Sequence, residues 1–457
     1  MPTHFPRREA DVCVIGAGLA GLIAADELLA AGLRVDVFEA QAGVGGRVKD
    51  TRRPGDVAVE LGANWFSGQQ PLIAEQIRRF GLETVATHDD GLHLFAWNGR
   101  TRTFRGAIPP LGPLKLVDIS QAIARFDRIA ARLHGQAPWG SEALQRYDRL
   151  SFGQWIDAHL YTRAGREFFY LVSEMVFGVE PHLVSFLYVL YYASRSVSLT
   201  SLISVGQGHQ ELRFRDGPAR LCDRIAERIG PAHLHLETPV RAVRLAGDGV
   251  EVDTSRLTGR YRAVLCAVPP PAARQIAFAP ALPPARGRLL QALPMGRVVK
   301  VQAIYERPFW LEQGLSGQSM CDGYPLTYTI DNSPADRRCG VLAAFVCSSR
   351  AERFLDAHTD RTAVAAQAID RLFGGRFPAP REVLVEDWAA NPWIGGSYGA
   401  YFPPGVMTTL GRALHDQQPP LYWCGAEYGQ VHPCQMEGAL ESGLRSARLI
   451  KTAFAHE

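Results

Sequence analysis

Val12-Cys13-Val14-Ile15-Gly16-Ala17-Gly18-Leu19-Ala20-Gly21-Leu22 decides the fold of this chain. The apolar run Val12–Ile15 predicts a buried strand, and the residues from Leu19 to about Ala31 predict a helix. Gly16, Gly18 and Gly21 therefore fall on a strand-to-helix turn, each for its own reason. The first permits the tight turn, the second lets backbone approach a pyrophosphate, and the third lets helix and strand touch. The helix N-terminus, with Ala20 in its first turn, adds unpaired N–H groups and partial positive charge. A second strand, Arg34 to Phe38, ends at Glu39, where a carboxylate can accept ribose hydroxyls. Together these features read as a dinucleotide site, without separating NAD from FAD.

Working outward, Gly43-Val44-Gly45-Gly46-Arg47 adds a second backbone-rich turn, with a guanidinium suited to a long, doubly charged cofactor. Glu60-Leu61-Gly62-Ala63-Asn64-Trp65 follows as a further loop. Near the other end, a strand at Leu421 to Trp423 leads to a turn carrying Gly425 and Glu427. A helix then opens at Met436-Glu437-Gly438-Ala439, with apolar Leu440, Leu444 and Ala447 along it. Its periodicity alone fits an ordinary capped helix. Paired with the opening segment, its N-terminus can face the redox ring of the same ligand, which points to an enzyme wrapped around a flavin.

Composition narrows the class. The 457 residues are 47% apolar and 21% charged, as in ordinary soluble globular proteins, and length suggests two or three domains. Net charge is +3 with scattered basic residues, which excludes an electrostatic footprint for nucleic acid. The eight cysteines form no C-x-x-C pair, so a reduced, cytoplasmic setting without structural zinc or any other metal is expected. Asp26 and Glu27 interrupt the N-terminal apolar run and argue against a signal peptide or membrane span. Of the 49 basic residues only Lys49, Lys115, Lys300 and Lys451 are lysines.

The expected fold is α/β: a Rossmann-type dinucleotide domain interleaved with an α+β substrate domain. Residues 1–84, 205–290 and 391–457 are assigned to the first, and 85–204 and 291–390 to the second. The stretch from about 85 to 200 reads as helical and aromatic-rich, with some aromatics between Arg166 and Tyr192 lining a substrate cavity and most forming core. Asp216-Gly217-Pro218 predicts a helix start with Pro at the first helical position. Strands are expected at 233–236, 240–245, 249–253, Ala263–Val268, Arg297–Tyr305, Gly340–Cys347 and Glu382–Asp387.

The succession G-x-G-x-x-G, Glu39, Gly45-Gly46-Arg47 and Leu61-Gly62-x-x-Trp65 resembles the flavin-dependent amine oxidases, the monoamine and polyamine oxidase superfamily. The resemblance extends to Thr238-Pro239-Val240, the Lys300 strand, Trp393–Gly405 and Tyr422–Gly443, and is diffuse over 85–200. It implies bound FAD, with the Val240 backbone at the adenine. Gly62, Ala63, Asn64, Trp65 and Trp388 would border the cofactor, although packing explains either Trp nearly as well. The helix at Met436 and Ala439, with Gly425 and Glu427 beside it, would face the flavin pyrimidine edge.

Three positions carry the chemistry implied. Lys300 interrupts the apolar run Val298-Val299-Lys300-Val301, and a buried lysine can lose its proton where arginine cannot. The resemblance places such a lysine at flavin N5 through water, assisting reaction with O2; an edge-strand lysine reaching solvent would leave the same pattern. Ser397 occupies the position where mammalian members hold a flavin-linked cysteine, which implies noncovalent FAD. Tyr398 matches one wall of an aromatic cage, and Gln435 replaces the aromatic of the other, which admits a substrate with an extra polar group. For His432 and Cys434, substrate contact and loop packing both stay open.

The implied reaction oxidises a small primary or secondary amine to an imine, then to aldehyde or ketone, while O2 becomes H2O2. A membrane-free protein is expected, with a homodimer left open. Alternatives on the same fold are an L-amino-acid oxidase, for which Arg195 or Arg213 would fork the carboxylate, and a flavin desaturase or dehydrogenase. A scaffold that uses FAD only structurally is the rival of another class.

Overall fold

The computed structural model describes residues 7–456, apart from Val197, Gln207, Asp248, Tyr324, residues 357–359 and Arg376. The opening strand runs Arg7–Ile15, followed by helix Leu19–Ala30 and strand Val35–Phe38. Arg7–Ile15 pairs in parallel with Val35–Phe38 on one side and with Thr258–Cys266 on the other. Helices cover the sheet, so Val12, Val14, Val35 and Val37 are all buried, and the strands read as continuous apolar runs. Across this first sheet the order is Leu234–His235, Val35–Phe38, Arg7–Ile15, Thr258–Cys266, Gly249–Thr254, Val240–Ala246 and Ala277–Ala279. Leu421–Trp423 adds to Thr258–Cys266.

The second sheet runs Glu382–Asp387, Val298–Tyr305, Gly340–Cys347, Tyr328–Asp331, Leu315–Cys321, Leu92–Trp97 and Arg100–Phe104. Its strands come from residues 92–104 and 298–387, whereas the first sheet draws on 7–38, 234–279 and 421–423. The chain thus passes between the two layers repeatedly, an interleaved α/β architecture.

Two local expectations are corrected. Residues 92–104 are a β-hairpin, not part of the helical stretch. Asn98 and Gly99 take φ of 50° and 71° at its tip, the left-handed pair that a tight hairpin turn needs. The stretch around Arg166–Tyr192 is helical as expected, in two helices, Arg163–Phe177 and Phe186–Ser194, with Gly178 closing the first at φ 65°. Pro218 caps helix Ala219–Ile229 from outside instead of occupying its first position.

Two contacts fix how other helices pack against Leu19–Ala30. A Cβ on Gly443, in helix Met436–Ala455, would lie 2.4 Å from the Ala20 carbonyl oxygen, so only glycine permits this approach to Leu19–Ala30. Asp26 is buried between Arg79 (2.5 Å) and Arg228 (2.6 Å), joining helices Leu19–Ala30, Pro71–Phe80 and Ala219–Ile229. Among the described residues no helix is long and apolar enough to cross a membrane, and all eight cysteines are free.

Candidate active site

The glycine-rich turns pack backbone against backbone. Gly16 has φ 102°, and a Cβ there would lie 2.8 Å from Val268. A Cβ on Gly21 would lie 2.0 Å from the Gly16 carbonyl, so Gly21 seals helix to strand and does not itself line the cavity. Gly18 differs, with nothing within 4 Å of its Cβ position, so it opens onto a cavity of about 670 Å³. The Gly45 N–H donates to the Ala17 carbonyl (2.8 Å), and Gly46 sits against Gly18. Glu39 closes this end, accepting from the Ala17 N–H (2.7 Å) and the Gln41 N–H (2.9 Å). Burial pushes its carboxyl up despite these backbone donors.

Two helix N-termini open on this one cavity. Leu19–Ala30 and Met436–Ala455 begin at Gly18 and Gln435, and neither cap residue supplies a side-chain hydrogen bond to the helix. Leu19, Ala20, Met436 and Ala439 line the space. The one acid in the second helix's first turn, Glu437, is turned elsewhere, accepting from the Leu72 and Ile73 N–H groups (both 2.9 Å). Uncapped N–H groups at both positions suit a pyrophosphate at one and an electron-rich ring at the other. With the open cradle at Gly18 and the Glu39 carboxylate, the donor set fits FAD.

Arg47 is not left free to meet phosphates, as its place in the turn suggests. Its guanidinium forks onto Glu427 (2.6 and 2.8 Å) and also donates to the Tyr398 carbonyl (2.8 Å). Burial opposes charge on both partners. Their mutual attraction outweighs it, holding the Glu427 carboxyl below its ordinary value and raising Arg47. The second Glu427 role is to accept the Ala400 N–H (3.2 Å). The pair therefore ties the turn after Gly46, the Gly425 turn and the Tyr398 segment into one wall.

Lys300 lies on an interior strand, between Glu382–Asp387 and Gly340–Cys347, which removes the edge-strand reading. It is 3% exposed, and its Nζ donates to the Gly62 carbonyl (2.9 Å) and to Asn64 Oδ1. The rings of Trp65 and Phe345 stand 5.4 and 5.5 Å from it. Burial pulls Lys300 down to about 7, with Arg213 adding to the effect and Glu60 and Asp50 opposing it. Lys300 is opposite Phe345, and Phe345 opposite Tyr328, so the three share one face of the sheet and line the cavity.

Tyr328 stacks on Phe345 (4.3 Å between centroids) and its hydroxyl lies 2.6 Å from that of Tyr398. Opposite in sequence, Gln435 is held by Gln70 (2.7 Å) and by the Tyr192 hydroxyl (3.2 Å). Of the aromatics between Arg166 and Tyr192, Tyr192 reaches the cavity. Cys434 lines it too, its Sγ 3.6 Å from the Tyr188 hydroxyl and burial pushing its thiol up to about 12. His432 is packed beside His209 (5.4 Å), away from the lining, and burial lowers it to about 4.

Gly16, Gly18, Ala20, Glu39, Gly45, Gly46, Arg47, Gly62, Ala63, Asn64, Trp65, Val240, Trp388, Gly425, Glu427, Met436, Ala439, Lys300, Tyr398 and Gln435 all line this cavity. Sequence reasoning missed Tyr328, Phe345 and His209, which also line it. Their strands and loop carry no motif; only the sheet register brings the first two together. Neither Arg195 nor Arg213 reaches the cavity: Arg195 donates to the Gln136 carbonyl, and Arg213 to Asn332 and Ser333. A second cavity of about 270 Å³ shares Met175, Gln210 and Tyr328 with the first.

Comparison with known proteins identifies the family. The family model for flavin containing amine oxidoreductase matches residues 19–451. A Mycobacterium tuberculosis protein named as a flavin-containing monoamine oxidase is 32% identical over 442 residues, covering 97% of this chain and 96% of its own. A putrescine oxidase solved with putrescine bound superposes with TM-score 0.92 at 26% identity, over 98% of this chain and 100% of that one. Cyclohexylamine oxidase from Brevibacterium oxydans superposes with TM-score 0.91 at 28% identity, over 98% and 99%.

The buried Arg47–Glu427 pair makes a thermodynamic prediction. Arg47→Met strands a buried carboxylate and costs about 3–5 kcal/mol in denaturant unfolding. Arg47→Met combined with Glu427→Gln recovers most of that loss, because no unpaired charge is left behind. A double variant no more stable than Arg47→Met would show that the carboxylate finds other support.

Proposed function

The chain belongs to the flavin containing amine oxidoreductase family, and we propose that it oxidises a small primary or secondary amine bound in its neutral form. It is a flavin-containing amine oxidase. The observation that carries the finer reading is the charge of the lining. Its carboxylates are Glu39, at the far dinucleotide end, and Glu427, already paired with Arg47. An ammonium entering beside Tyr398 and Tyr192 meets no free counter-ion there, and burying it unpaired is costly.

FAD, when bound, would supply the hydride acceptor for the amine-bearing carbon and the redox group that O2 reoxidises. The chain's own residues supply the rest. Gly18 and the first helix N-terminus hold the pyrophosphate, Glu39 the ribose, and the Val240 backbone the adenine. The helix N-terminus at Met436 and Ala439 offers N–H groups where negative charge accumulates. Tyr398, fixed through its hydroxyl to Tyr328 and through its carbonyl to Arg47, presents a rigid aromatic wall that orients the amine. Gln435, engaged by Gln70 and Tyr192, sets the position of the opposing wall.

Lys300 is the oxygen-handling group in this reading, its cavity-facing proton available to a water or to reduced oxygen. Ser397 lines the cavity and carries no thiol, so the FAD is held noncovalently. An L-amino-acid oxidase reading is weakened because the lining arginines are Arg47, already paired, and Arg241, beside Val240 at the dinucleotide end. The electron acceptor in this proposal is O2; a dehydrogenase passing electrons to a protein is the competing reading.

Anaerobic mixing with an amine panel is expected to bleach the flavin, with a rate that rises with pH as the free amine is released. Failure of every amine, primary, secondary and diamine, would exclude the reading. Lys300→Met is expected to slow reoxidation of the reduced flavin about 10-fold or more, ~1.4 kcal/mol of barrier, with little change in flavin reduction. Equal slowing of both half-reactions would remove the oxygen role. Acid precipitation is expected to leave the yellow colour in the supernatant, and a yellow pellet would mean a covalent link.

A further inference from the structure

Lys300 Nζ has three substituent directions besides its stem, and protein acceptors take two of them, the Gly62 carbonyl and Asn64 Oδ1. Lys300 lines the cavity together with Trp65 and Phe345, whose ring centroids lie 5.4 and 5.5 Å from Nζ, and the third direction is left to that space. As an ammonium the nitrogen presents an N–H there; as a neutral amine it donates to both acceptors and presents a lone pair. The proton count of one buried group therefore decides whether the cavity meets a donor or an acceptor.

Behind Lys300 a hydrogen-bonded chain leads away from the cavity. Asn64 Nδ2 donates to Asn332 Oδ1 (3.0 Å), and Asn332 Nδ2 donates to Glu60 Oε2 (2.7 Å). Arg213 Nη1 also donates to Asn332 Oδ1 (2.9 Å). The amide orientations are dictated from the far end, since arginine only donates and an ionised carboxylate only accepts: that fixes Asn332, and Asn332 in turn fixes Asn64. Glu60, Asn64, Asn332 and Arg213 are each no more than 5% exposed.

On the oxygen-handling role given above to Lys300, we propose that Glu60 is a positioning residue: relayed by Asn332 and Asn64 and opposed by Arg213, it sets whether the cavity-facing valence of Lys300 is a proton donor or a lone pair. The charged groups around the lysine are accounted for. Asp50, on strand Asp50–Arg53, also favours the ammonium, but burial and Glu60 push its own carboxyl well up, which weakens its hold. Glu386, opposite Lys300 on the neighbouring strand, is taken by Lys49 (2.6 Å). Arg213, on strand Leu212–Phe214, acts against the charge. Low dielectric around a fully hydrogen-bonded chain makes one charge at its end effective over two amides.

The scarcity of lysine makes a direct test practical. Holoenzyme is labelled with lysine carrying ¹³C at Cε, and Lys49, Lys115 and Lys451 are replaced by arginine to leave a single resonance. Its midpoint is followed by NMR against pH in that background, in Glu60→Gln and in Arg213→Gln. Glu60→Gln keeps shape and removes charge, and is expected to lower the midpoint by about one pH unit; Arg213→Gln is expected to raise it by about as much. An unmoved midpoint in both, or a shift of the same sign in both, overturns the proposal. If Glu60→Gln does not fold, an unmoved or lowered midpoint in Arg213→Gln does so alone. Reoxidation rates of the same proteins separate the two readings. Opposite midpoint shifts with unchanged reoxidation support the Glu60 relay and remove the oxygen role of Lys300. Slow reoxidation in Lys300→Met beside unmoved midpoints does the reverse.

Discussion

A guanidinium and a carboxylate separated by 380 residues of sequence meet inside this protein, and the shape of its cavity depends on their union. Arg47 follows the second glycine turn, Glu427 follows a strand of the first sheet, and Tyr398 sits on the segment that Arg47 also grips by its carbonyl. Desolvating both charges is expensive, and bidentate geometry with further hydrogen bonds is what offsets it. The consequence is directional. The dinucleotide turn, the Gly425 turn and the aromatic wall are held in mutual register, so a ligand contacting one is placed with respect to all three.

Around that clamp the cavity divides its labour by charge. Two uncapped helix N-termini provide fixed partial positive charge without titratable groups, while Lys300, the one lysine lining the cavity among the described residues, is held where burial makes its proton easy to lose. Fixed dipoles need no reorganisation, whereas the lysine changes state within the physiological pH range. A site that handles both charge accumulation and a proton gains from keeping the two functions on different groups. Arginine, the chain's usual cation, cannot serve the second.

How much of this was legible in the sequence follows from how local each constraint is. Gly16, Gly18 and Gly21 announce the turn because tight backbone packing forbids any side chain at two of them and leaves the third facing open space. Lys300 stood out because charge in an apolar run is conspicuous, and the interior strand explains the run. The hairpin at 92–104 was obscured: Arg100-Thr101-Arg102-Thr103 looks like solvent-facing sequence, and its strand identity comes from pairing with Leu92–Trp97, itself placed by Leu315–Cys321. Tyr328 and Phe345 were equally illegible, since their stacking depends on cross-strand register and on no motif. Arg47 reads as a cofactor contact and does line the cavity, but its pairing with Glu427 is invisible in sequence because the partner lies in another motif altogether.

The order in which the cavity's walls occur along the chain constrains how the holoenzyme is made. Gly18 and Glu39 leave the ribosome early, but Met436 and Ala439 follow some four hundred residues later, and the Gly443–Ala20 contact that seats their helix later still. A nascent chain presents half a cradle, with the adenine side formed and the redox side missing. The complete cradle therefore exists only once helix Met436–Ala455 has docked against Leu19–Ala30.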